Sequence, residues 1–337
     1  MTEDNQKFDI IILGNGICAQ SILFEIGKSE EFDLDTLKIA HVFNDEFCSP
    51  CSVNSTSVVS LSGTSKGISP LGDLIVDSFN YTLQLAKGEL QSEFHLSKQY
   101  YIYEEGKDKD QFIKRYKTLE EVSLFDKSFL GSVDECFVVD NEALLQKLEQ
   151  SNLKLKITKF NKTIIDISVD GTISLLDGSK VRGKKVVSAL GAYSNHFLKN
   201  FKHTHLDHSK LVPGDYLLFK DVDLGSESFV ITKGHYNLVY RAFSKTTLIG
   251  GTTLKDEWCA IDYVELRPLY NYFKELISVL PDFHEGEIRT GLRHKGKKRL
   301  PFLGEVAPSI YSFHGVYKNG FTFSFYMANN FVRNFNV

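Results

Sequence analysis

The sequence has few cysteines, no long apolar run and no strongly charged block, and each absence excludes a class of protein. Its five cysteines are odd in number and scattered over 337 residues, so we expect no disulfide framework and a cytoplasmic location. No apolar run approaches the ~18 residues that a membrane span needs. The net charge is −4 and the densest basic run is KGKK at 295–298, which argues against nucleic-acid binding. The polar, acidic start MTEDNQK predicts no secretory signal.

The residues that are present indicate a globular protein with a large core. Hydrophobic residues make up 42% of the chain, with 26 Phe and 15 Tyr, and aromatic side chains bury a large area each. A chain of 337 residues is too long to form one simple hydrophobic core, so we expect about two domains.

The stretch FDIIILGNGICAQSILFEIG at 8–27 predicts a buried strand, a glycine turn and a helix, and LKIAHVF at 37–43 predicts the next strand. Gly14 allows the tight turn, Gly16 lets the backbone approach a pyrophosphate, and the small Ala19 lets helix and strand pack closely. The N–H groups at the helix start attract phosphates. The pattern is typical of dinucleotide binding, although a tight turn without a ligand has the same pattern.

The residue that would contact a ribose at the end of the second strand is ambiguous. The strand runs into Asn44, Asp45 and Glu46. Asn44 offers an uncharged acceptor, whereas either acid serves if the strand is a residue or two longer. The sequence leaves this choice open.

The remaining patterns predict an α/β domain interrupted by a β-rich one. Residues 48–72, rich in Ser, Gly, Thr and Pro, should be largely loop. The other predictions are helices at 73–87, 141–150 and 263–280, short strands between 154 and 191, a β-rich region at 211–256, and mostly strand and turn at 310–326.

Five later segments together resemble the D-amino acid oxidase superfamily of FAD-dependent oxidoreductases, with glycine oxidases and sarcosine oxidase-like enzymes nearest. They occur in the family's order: CSVNSTSVVSLSG (51–63), GKKVVSALGAYSNHFL (183–198), YNLVYRAFSKTTLIGGTT (236–253), IRTGLRHKGKKRLPFLGEV (288–306) and FHGVYKNGFTFS (313–324). This chain departs from the family where valine stands at 316, lysine at 318 and histidine at 294. In the family, the corresponding positions usually hold histidine, arginine and proline, respectively.

The resemblance implies a Rossmann-type FAD-binding domain, glutathione-reductase-like, with an inserted mixed-sheet α+β substrate domain. It places the FAD domain at 1–80, 140–205 and 285–337, and the substrate domain at 81–139 and 206–284. It implies non-covalent FAD and no metal; we interpret HTHLDH at 203–208 as a polar connection. With the glycine loop, it assigns these residues to the cofactor: Gly14, Gly16, Ile17, Ala19, Asn44, Asp45, Ser52, Asn54, Ser55, Thr56, Ala189, Gly191, Arg293, Gly315, Tyr317, Lys318, Asn319, Gly320, Phe321 and Thr322.

Five residues are candidates for the catalytic site. Arg293 matches an arginine that faces the substrate, and a guanidinium can clamp a carboxylate; the alternative is a structural arginine. Lys318 would hold the electron-rich edge of the flavin, or else is a solvated loop lysine. His235 and Asn237 fall where the substrate hairpin faces the ring in the family. Tyr216 would line the pocket, although aromatic residues fill cores first.

The predicted reaction is oxidation of the C–N bond of a small amine or amino acid. Hydride passes to the flavin, and the imine then hydrolyses in water. The acceptor is oxygen or another oxidant, and a homo-oligomer is possible. Three alternatives stay open: a nicotinamide-dependent dehydrogenase, a non-catalytic or partner-dependent flavoprotein subunit, and a tailoring enzyme acting on a larger amine.

Overall fold

The computed structural model describes residues 7–45, 51–254 and 261–335. The chain divides into two compact units, each made from more than one segment. Unit 1 comprises Met1–Val53, Asn141–Leu211 and Arg293–Val337, and unit 2 comprises Asn54–Asp140 and Val212–Leu292.

Unit 1 is built on a mainly parallel sheet with the strand order β16-β17-β10-β1-β2-β7, extended by β8 and β9 beside β10. β1 lies at its centre, parallel to both β2 and β10. The described strands of this sheet are β1 (Lys7–Leu13), β2 (Ile39–Phe43), β7 (Ile157–Asn161), β8 (Ile164–Ile167), β9 (Thr172–Leu175), β10 (Lys180–Ser188), β16 (Phe302–Ala307) and β17 (Ile310–His314). The predicted α/β class with a Rossmann-type parallel core is confirmed.

Local sequence explains why β1 is central and α1 follows it. Ile10, Ile11, Ile12 and Leu13 are all completely buried, as expected for a parallel strand covered on both faces. The helices of unit 1 are α1 (Ile17–Lys28), α4 (Asn141–Ser151), α5 (Ser194–Leu198), α6 (Thr204–Asp207) and α8 (Gly320–Val332).

The prediction of mostly strand and turn at 310–326 is wrong for its second half, because α8 begins at Gly320. Phe321, Phe323 and Phe325 alternate along the sequence as in a strand, yet all three are buried on a helix. The cause is tertiary packing: α8 lies against α1, where the rings of Phe24 and Phe325 meet edge to face at 5.8 Å. A helix buried on several sides loses the one-sided apolar pattern that identifies surface helices.

Unit 2 is built on a mainly antiparallel sheet with the order β15-β11-β14-β13-β12-β4-β6-β3, and β5 pairs with β6. Its described strands are β3 (Val58–Ser60), β4 (Phe94–Ile102), β5 (Glu120–Leu124), β6 (Lys127–Val139), β11 (Lys210–Phe219), β12 (Phe229–Lys233), β13 (Tyr236–Arg241), β14 (Thr246–Gly250) and β15 (Glu287–Lys295). Its helices are α2 (Pro70–Ala86), α3 (Lys109–Tyr116) and α7 (Tyr263–Leu276).

Helix α7 supplies much of the core of unit 2. Leu266, Leu269 and Phe273 recur at helical spacing and are completely buried. They join Leu238 and Ile249 from the sheet in one hydrophobic cluster. The strongly patterned helix was therefore predictable from sequence.

The segment boundaries differ from the expected ones. The resemblance places residues 54–80 with the first unit, but they belong to unit 2, because β3 pairs with β6 in the second sheet. Residues 206–211 fall in unit 1, and 285–292 in unit 2. The assignment of one unit to FAD and the other to substrate stays a prediction at this point. Among the residues that the structure describes, no helix has the length and apolarity to cross a bilayer.

Candidate active site

The glycine turn between β1 and α1 lies where two neighbouring strands end. The N–H of Gly14 donates to the carbonyl of Val42 at 2.9 Å, and the N–H of Ala189 donates to the carbonyl of Leu13 at 2.9 Å. Gly14 has φ +101°, and a Cβ there would lie 2.6 Å from the Ala189 carbonyl oxygen. Only glycine fits such a conformation and such an approach. Gly16 then forms the N-cap of α1, and Ala19 is completely buried.

A buried histidine supports this turn from β2. His41 is 2% exposed, and burial lowers its pKa to about 4. The ring is therefore neutral at pH 7, and Nε2 donates to the carbonyl oxygen of Gly14 at 2.7 Å. His41 thereby fixes the orientation of the peptide group that follows Gly14.

A relay of side-chain amides connects the turn to the end of β2. Asn152 Nδ2 donates to Gln20 Oε1 at 3.0 Å, and Gln20 Nε2 donates to Asn15 Oδ1 at 2.6 Å. Asn15 Nδ2 in turn donates to Asp45 Oδ1 at 3.0 Å. The relay holds the exposed Asp45 carboxylate beside the glycine loop.

Asn44 and Glu46 are the other two candidates for the ribose contact at the end of β2. Asn44 is half-buried and its Nδ2 donates to Thr163 Oγ1 at 2.5 Å. Glu46 lies outside the described residues. Asp45 is thus the carboxylate that the described structure brings to the glycine loop.

Ser52 contacts the start of α1. Its Oγ accepts a hydrogen bond from the N–H of Ile17 at 2.9 Å. Asn141, at the start of α4, holds the serine loop by donating from Nδ2 to the carbonyls of Ser52 at 3.0 Å and Val53 at 2.7 Å. Asn141 is 2% exposed, so this clamp is shielded from water.

The next three residues assigned to the cofactor begin unit 2. Asn54, Ser55 and Thr56 all lie beyond the boundary at Val53. Within unit 2, Arg241 Nη2 donates to the carbonyls of Ser55 at 3.2 Å and Thr56 at 3.4 Å. Their backbone is therefore held by an arginine of β13.

Two stacked histidines lie near the end of β10. The rings of His294 and His314 stack at 5.0 Å, and Nδ1 of His314 bonds the hydroxyl of Ser312 at 2.8 Å. Burial lowers their pKa values to about 4 and about 3, and the Gly191 backbone opposes the drop at His294. Neither ring nitrogen of His294 has a hydrogen-bond partner of normal geometry among the described residues.

The last loop leads from β17 into α8. Gly315 accepts from the N–H of Gly296 at 3.4 Å. Asn319 is the N-cap of α8, and Gly320, Phe321 and Thr322 form its first turn. These three residues therefore belong to a helix N-terminus, where the helix dipole favours negative charge.

Cations gather around Tyr317 in this loop. The Arg293 guanidinium carbon lies 5.6 Å from the centre of the Tyr317 ring, and Lys318 Nζ lies 5.7 Å from it. Arg293 and Lys318 come from different segments of the sequence, and the fold brings both near the ring of Tyr317.

Comparison with known proteins decides the family. A model of the family DAO, described as FAD dependent oxidoreductase, matches residues 9–332. The chain belongs to this family of FAD-dependent oxidoreductases. No curated protein matches it in sequence.

Solved structures share the fold of this oxidoreductase. Glycine oxidase from Geobacillus kaustophilus superimposes with a TM-score of 0.77 at 16% identity, covering 99% of this chain and 96% of the other. L-proline dehydrogenase from P. horikoshii gives 0.76 at 13%, covering 96% and 91%. Iminodiacetate oxidase from Chelativorans sp. BNC1 gives 0.72 at 14%, covering 96% and 95%. The recognition of the superfamily and of its fold class is confirmed.

The residues of unit 1 fit FAD. At Gly14 the backbone lies so close to Ala189 that any side chain would collide with it, so a larger residue would displace the turn on which a pyrophosphate would lie. The buried His294 nitrogens, unpaired among the described residues, are polar groups that a bound molecule or water would satisfy.

The remaining candidates of the FAD-dependent oxidoreductase lie in unit 2. His235 Nε2 lies 3.4 Å from Glu265 Oε1. Asn237 donates from Nδ2 to the His235 carbonyl at 3.0 Å and accepts from Thr232 Oγ1 at 2.9 Å. The side chain of Asn237 therefore stabilises the hairpin formed by β12 and β13.

Tyr216 is the most buried of these unit 2 candidates. It is 5% exposed on β11 and within hydrogen-bonding reach of Arg289, whose guanidinium donates to Glu287 at 2.8 Å. A packing role and a substrate role are both compatible with that position.

Histidines of the HTHLDH segment pack as aromatic rings. His203 and His205 stack on each other at 5.6 Å, and His205 stacks on Phe302 at 4.4 Å. Within the described ranges, no group of three or more His, Cys, Asp or Glu side chains is arranged to hold a metal ion.

Sequence reasoning missed the residues that support the site from a distance. His41, Gln20 and Asn141 are buried polar side chains in otherwise apolar surroundings. Their signal in the sequence is weak: a single histidine inside the apolar strand, and a glutamine on the buried helix after the glycine turn. Their roles depend on partners that only the fold brings near.

Proposed function

We propose that this oxidoreductase oxidises the C–N bond of a small amine or amino acid, with FAD held non-covalently in unit 1. The observation that carries the proposal is that one unit contains both the Gly14 turn and the cations Arg293 and Lys318 near the Tyr317 ring. Bound FAD would supply the acceptor of the hydride, and the imine product would hydrolyse in water.

The pyrophosphate of the cofactor is assigned to the start of α1. Gly14 and Gly16 let the backbone approach it, and the N–H groups and dipole of the first helical turn favour a phosphate. The Ser52 hydroxyl, which bonds the Ile17 N–H, adds a polar group at the same place. Ala19, Ala189 and Gly191 keep the surroundings small. Asp45 is the proposed ribose acceptor, because the amide relay through Asn15 orients its carboxylate.

The flavin end of the cofactor is assigned to the loop between β17 and α8. The first turn of α8, from Asn319 to Thr322, offers a positive helix end to the electron-rich edge of the flavin. Lys318 adds a full charge beside it. Gly315 keeps this loop close to Gly296.

Arg293 is the proposed anchor for the substrate carboxylate. Arg293 would clamp a carboxylate with two parallel hydrogen bonds. His235, Asn237 and Tyr216 remain proposed substrate contacts, as unit 2 remains the proposed substrate-binding unit. Solved structures of similar fold include enzymes named for glycine, L-proline and iminodiacetate, which supports an amine or amino acid as substrate. Oxygen is the proposed electron acceptor and the cytoplasm the proposed location.

The test is an absorption spectrum of the purified protein, followed by anaerobic addition of glycine, sarcosine, D-amino acids and L-proline one at a time. Flavin bands that bleach with one of these compounds support the proposal and give the substrate class. Flavin bands that none of them bleaches favour a larger amine or a non-catalytic subunit. Absence of flavin bands after incubation with FAD would refute the cofactor assignment.

A further inference from the structure

The sequence contains the dipeptide Asn-Gly twice, and both copies lie in loops assigned to the cofactor. They are Asn15-Gly16 at the start of α1 and Asn319-Gly320 at the start of α8. An asparagine followed by glycine is prone to deamidation, because no side chain hinders attack of the glycine nitrogen on the asparagine carboxamide. Whether either copy reacts in the folded protein depends on how firmly the structure holds the asparagine.

The fold holds the side chain of Asn15 at both ends of its carboxamide. Gln20 Nε2 donates to Asn15 Oδ1 at 2.6 Å, and Asn15 Nδ2 donates to Asp45 Oδ1 at 3.0 Å. Gln20 is 4% exposed and accepts a further hydrogen bond from Asn152. The Asn15 carboxamide therefore cannot turn toward the Gly16 nitrogen without breaking two hydrogen bonds.

The side chain of Asn319 is not held in this way. It makes no capping hydrogen bond to α8. Within the described ranges, neither its carboxamide nor the N–H of Gly320 has a hydrogen-bond partner. Both residues are half-buried, so water reaches them. The attacking nitrogen and the carbon that it attacks thus belong to groups that no hydrogen bond fixes in place.

Only the backbone of the first turn of α8 restrains the reaction. The carbonyl of Asn319 accepts from the N–H groups of Thr322 at 3.1 Å and Phe323 at 2.9 Å. The peptide between Asn319 and Gly320 has to rotate before its nitrogen reaches the side chain, and this rotation breaks both bonds. The end of a helix opens at much lower cost than the interior of a fold, so local opening of one turn is sufficient.

We propose that Asn319 is a site of spontaneous deamidation, and that its conversion weakens the binding of FAD. The Gly320 nitrogen forms a bond to Cγ of Asn319 while the Cγ–Nδ2 bond breaks, and Nδ2 leaves as ammonia with the proton of the Gly320 N–H. Water then opens the cyclic imide at either carbonyl, which gives aspartate or isoaspartate. The reaction consumes one water and needs no oxidant or reductant.

The effect on FAD rests on the proposed function, which assigns the start of α8 to the electron-rich edge of the flavin. The product carries a negative charge where the neutral carboxamide of Asn319 stood. That charge offsets the positive end of the helix dipole. Isoaspartate also adds a methylene to the backbone, so Gly320 can no longer begin α8 in the same position. We therefore expect conversion to lower the FAD affinity about tenfold.

The experiment follows the full chain, with FAD removed, by peptide mass mapping during incubation in mildly alkaline buffer. The peptide that contains Asn319 should gain the mass difference between a hydroxyl and an amino group, whereas the peptide that contains Asn15 should not. In urea both peptides should gain it, because the hydrogen bonds that protect Asn15 are then lost. The FAD affinity of each aged sample is measured by fluorescence titration.

Gly320→Ala is the test variant. A Cβ at this position would lie no closer than 3.6 Å to Ile17 and Val316, so the fold accepts it. It should slow the reaction at Asn319 about tenfold, because the methyl group obstructs the attack and stiffens the backbone. The aged variant should keep the FAD affinity that it had when fresh. Gly88→Ala is the matched control, since its surroundings also accept a Cβ, and its rate should equal that of the wild type.

Equal rates at Asn15 and Asn319 in the folded protein would overturn the inference. So would an unchanged rate in Gly320→Ala, or an Asn319 that reacts in urea but not in the folded protein. Conversion of Asn319 without a change in FAD affinity would refute the effect on the cofactor. A fresh wild-type protein that binds no FAD refutes the proposed function instead, and the mass measurement, which needs no FAD, still decides the deamidation.

Discussion

The three buried histidines of unit 1 should make the protein sensitive to mild acid. His41, His294 and His314 are 2%, 4% and 1% exposed. Burial lowers their pKa values from 6.5 to about 4, 4 and 3. The perturbation is a change of pH from 7 to 5.

The direction in which stability changes with pH follows from proton linkage. Each histidine has a lower pKa in the folded state, so the unfolded chain binds more protons between its own pKa near 6.5 and the folded value. Stability is therefore complete above about pH 6.5 and falls as the pH drops through that window. Carboxylates with lowered pKa values, such as Asp9 and Glu287, act at lower pH because their unfolded values are near 4.

The magnitude can be worked from these pKa values. Between pH 7 and pH 5, each histidine costs about 2 kcal/mol of the free energy of unfolding, and the three together about 5–6 kcal/mol. A typical domain has a total stability of roughly 5–15 kcal/mol. Unit 1 should thus lose a large part of its stability at a pH where most proteins remain folded.

The assay is urea unfolding followed by far-ultraviolet circular dichroism at pH 7, 6 and 5. His294→Phe removes one buried imidazole, so it should reduce the pH-dependent loss by about 2 kcal/mol. His208→Phe is the matched control, since His208 is exposed. A wild-type protein equally stable at pH 7 and 5, or an unchanged slope in His294→Phe, would refute the reasoning.

The remaining predictions concern the cofactor site. Gly14→Ala should lower FAD affinity at least tenfold in a fluorescence titration, because the Cβ would lie 2.6 Å from the Ala189 oxygen; Gly178→Ala, also at positive φ but with open space around it, should not. Asp45→Asn should weaken FAD binding about tenfold through a lost charge-assisted hydrogen bond to the ribose, and unchanged affinity would exclude that contact. Asn141→Ala should destabilise the apo-protein by about 1 kcal/mol, seen as a lower urea midpoint, because the half-buried carbonyls of Ser52 and Val53 lose their donor.

The start of unit 1 could be predicted because its signals are local. A run of four buried apolar residues, a glycine turn and a helix identify β1 and α1 without knowledge of the rest. The Asp-Gly pairs at 170–171 and 177–178 also predict hairpin turns, and both glycines adopt positive φ. Cofactor candidates in other segments came from resemblance, since no local pattern shows that Ala189 ends beside Gly14.

The helix α8 and the unit boundary at residues 54–80 could not be predicted, because both depend on contacts between residues that are distant in sequence. The pattern of α8 indicates strand and turn, since burial against α1 hides the helical period. Residues 54–80 fall in the other unit because β3 pairs with β6, and that pairing leaves no mark in β3 itself. Arg293 and Tyr317 are distant in the sequence, and only the fold brings the last loop back to the end of β15.

The order of strands in unit 1 has a consequence for synthesis of the chain. β1 pairs with β10, as in Ile11 with Val186, and β10 pairs with β17, as in Ser188 with Ser312. At about 5–20 residues per second, roughly 15–60 s separate translation of β1 from that of β17. Until β10 is made, β1, apolar over Ile10–Leu13, lacks one of its two partner strands, which is the condition under which nascent chains aggregate or recruit chaperones. The glycine loop, although made first, becomes a complete cradle only when nearly the whole chain has been made, so cofactor loading should be post-translational.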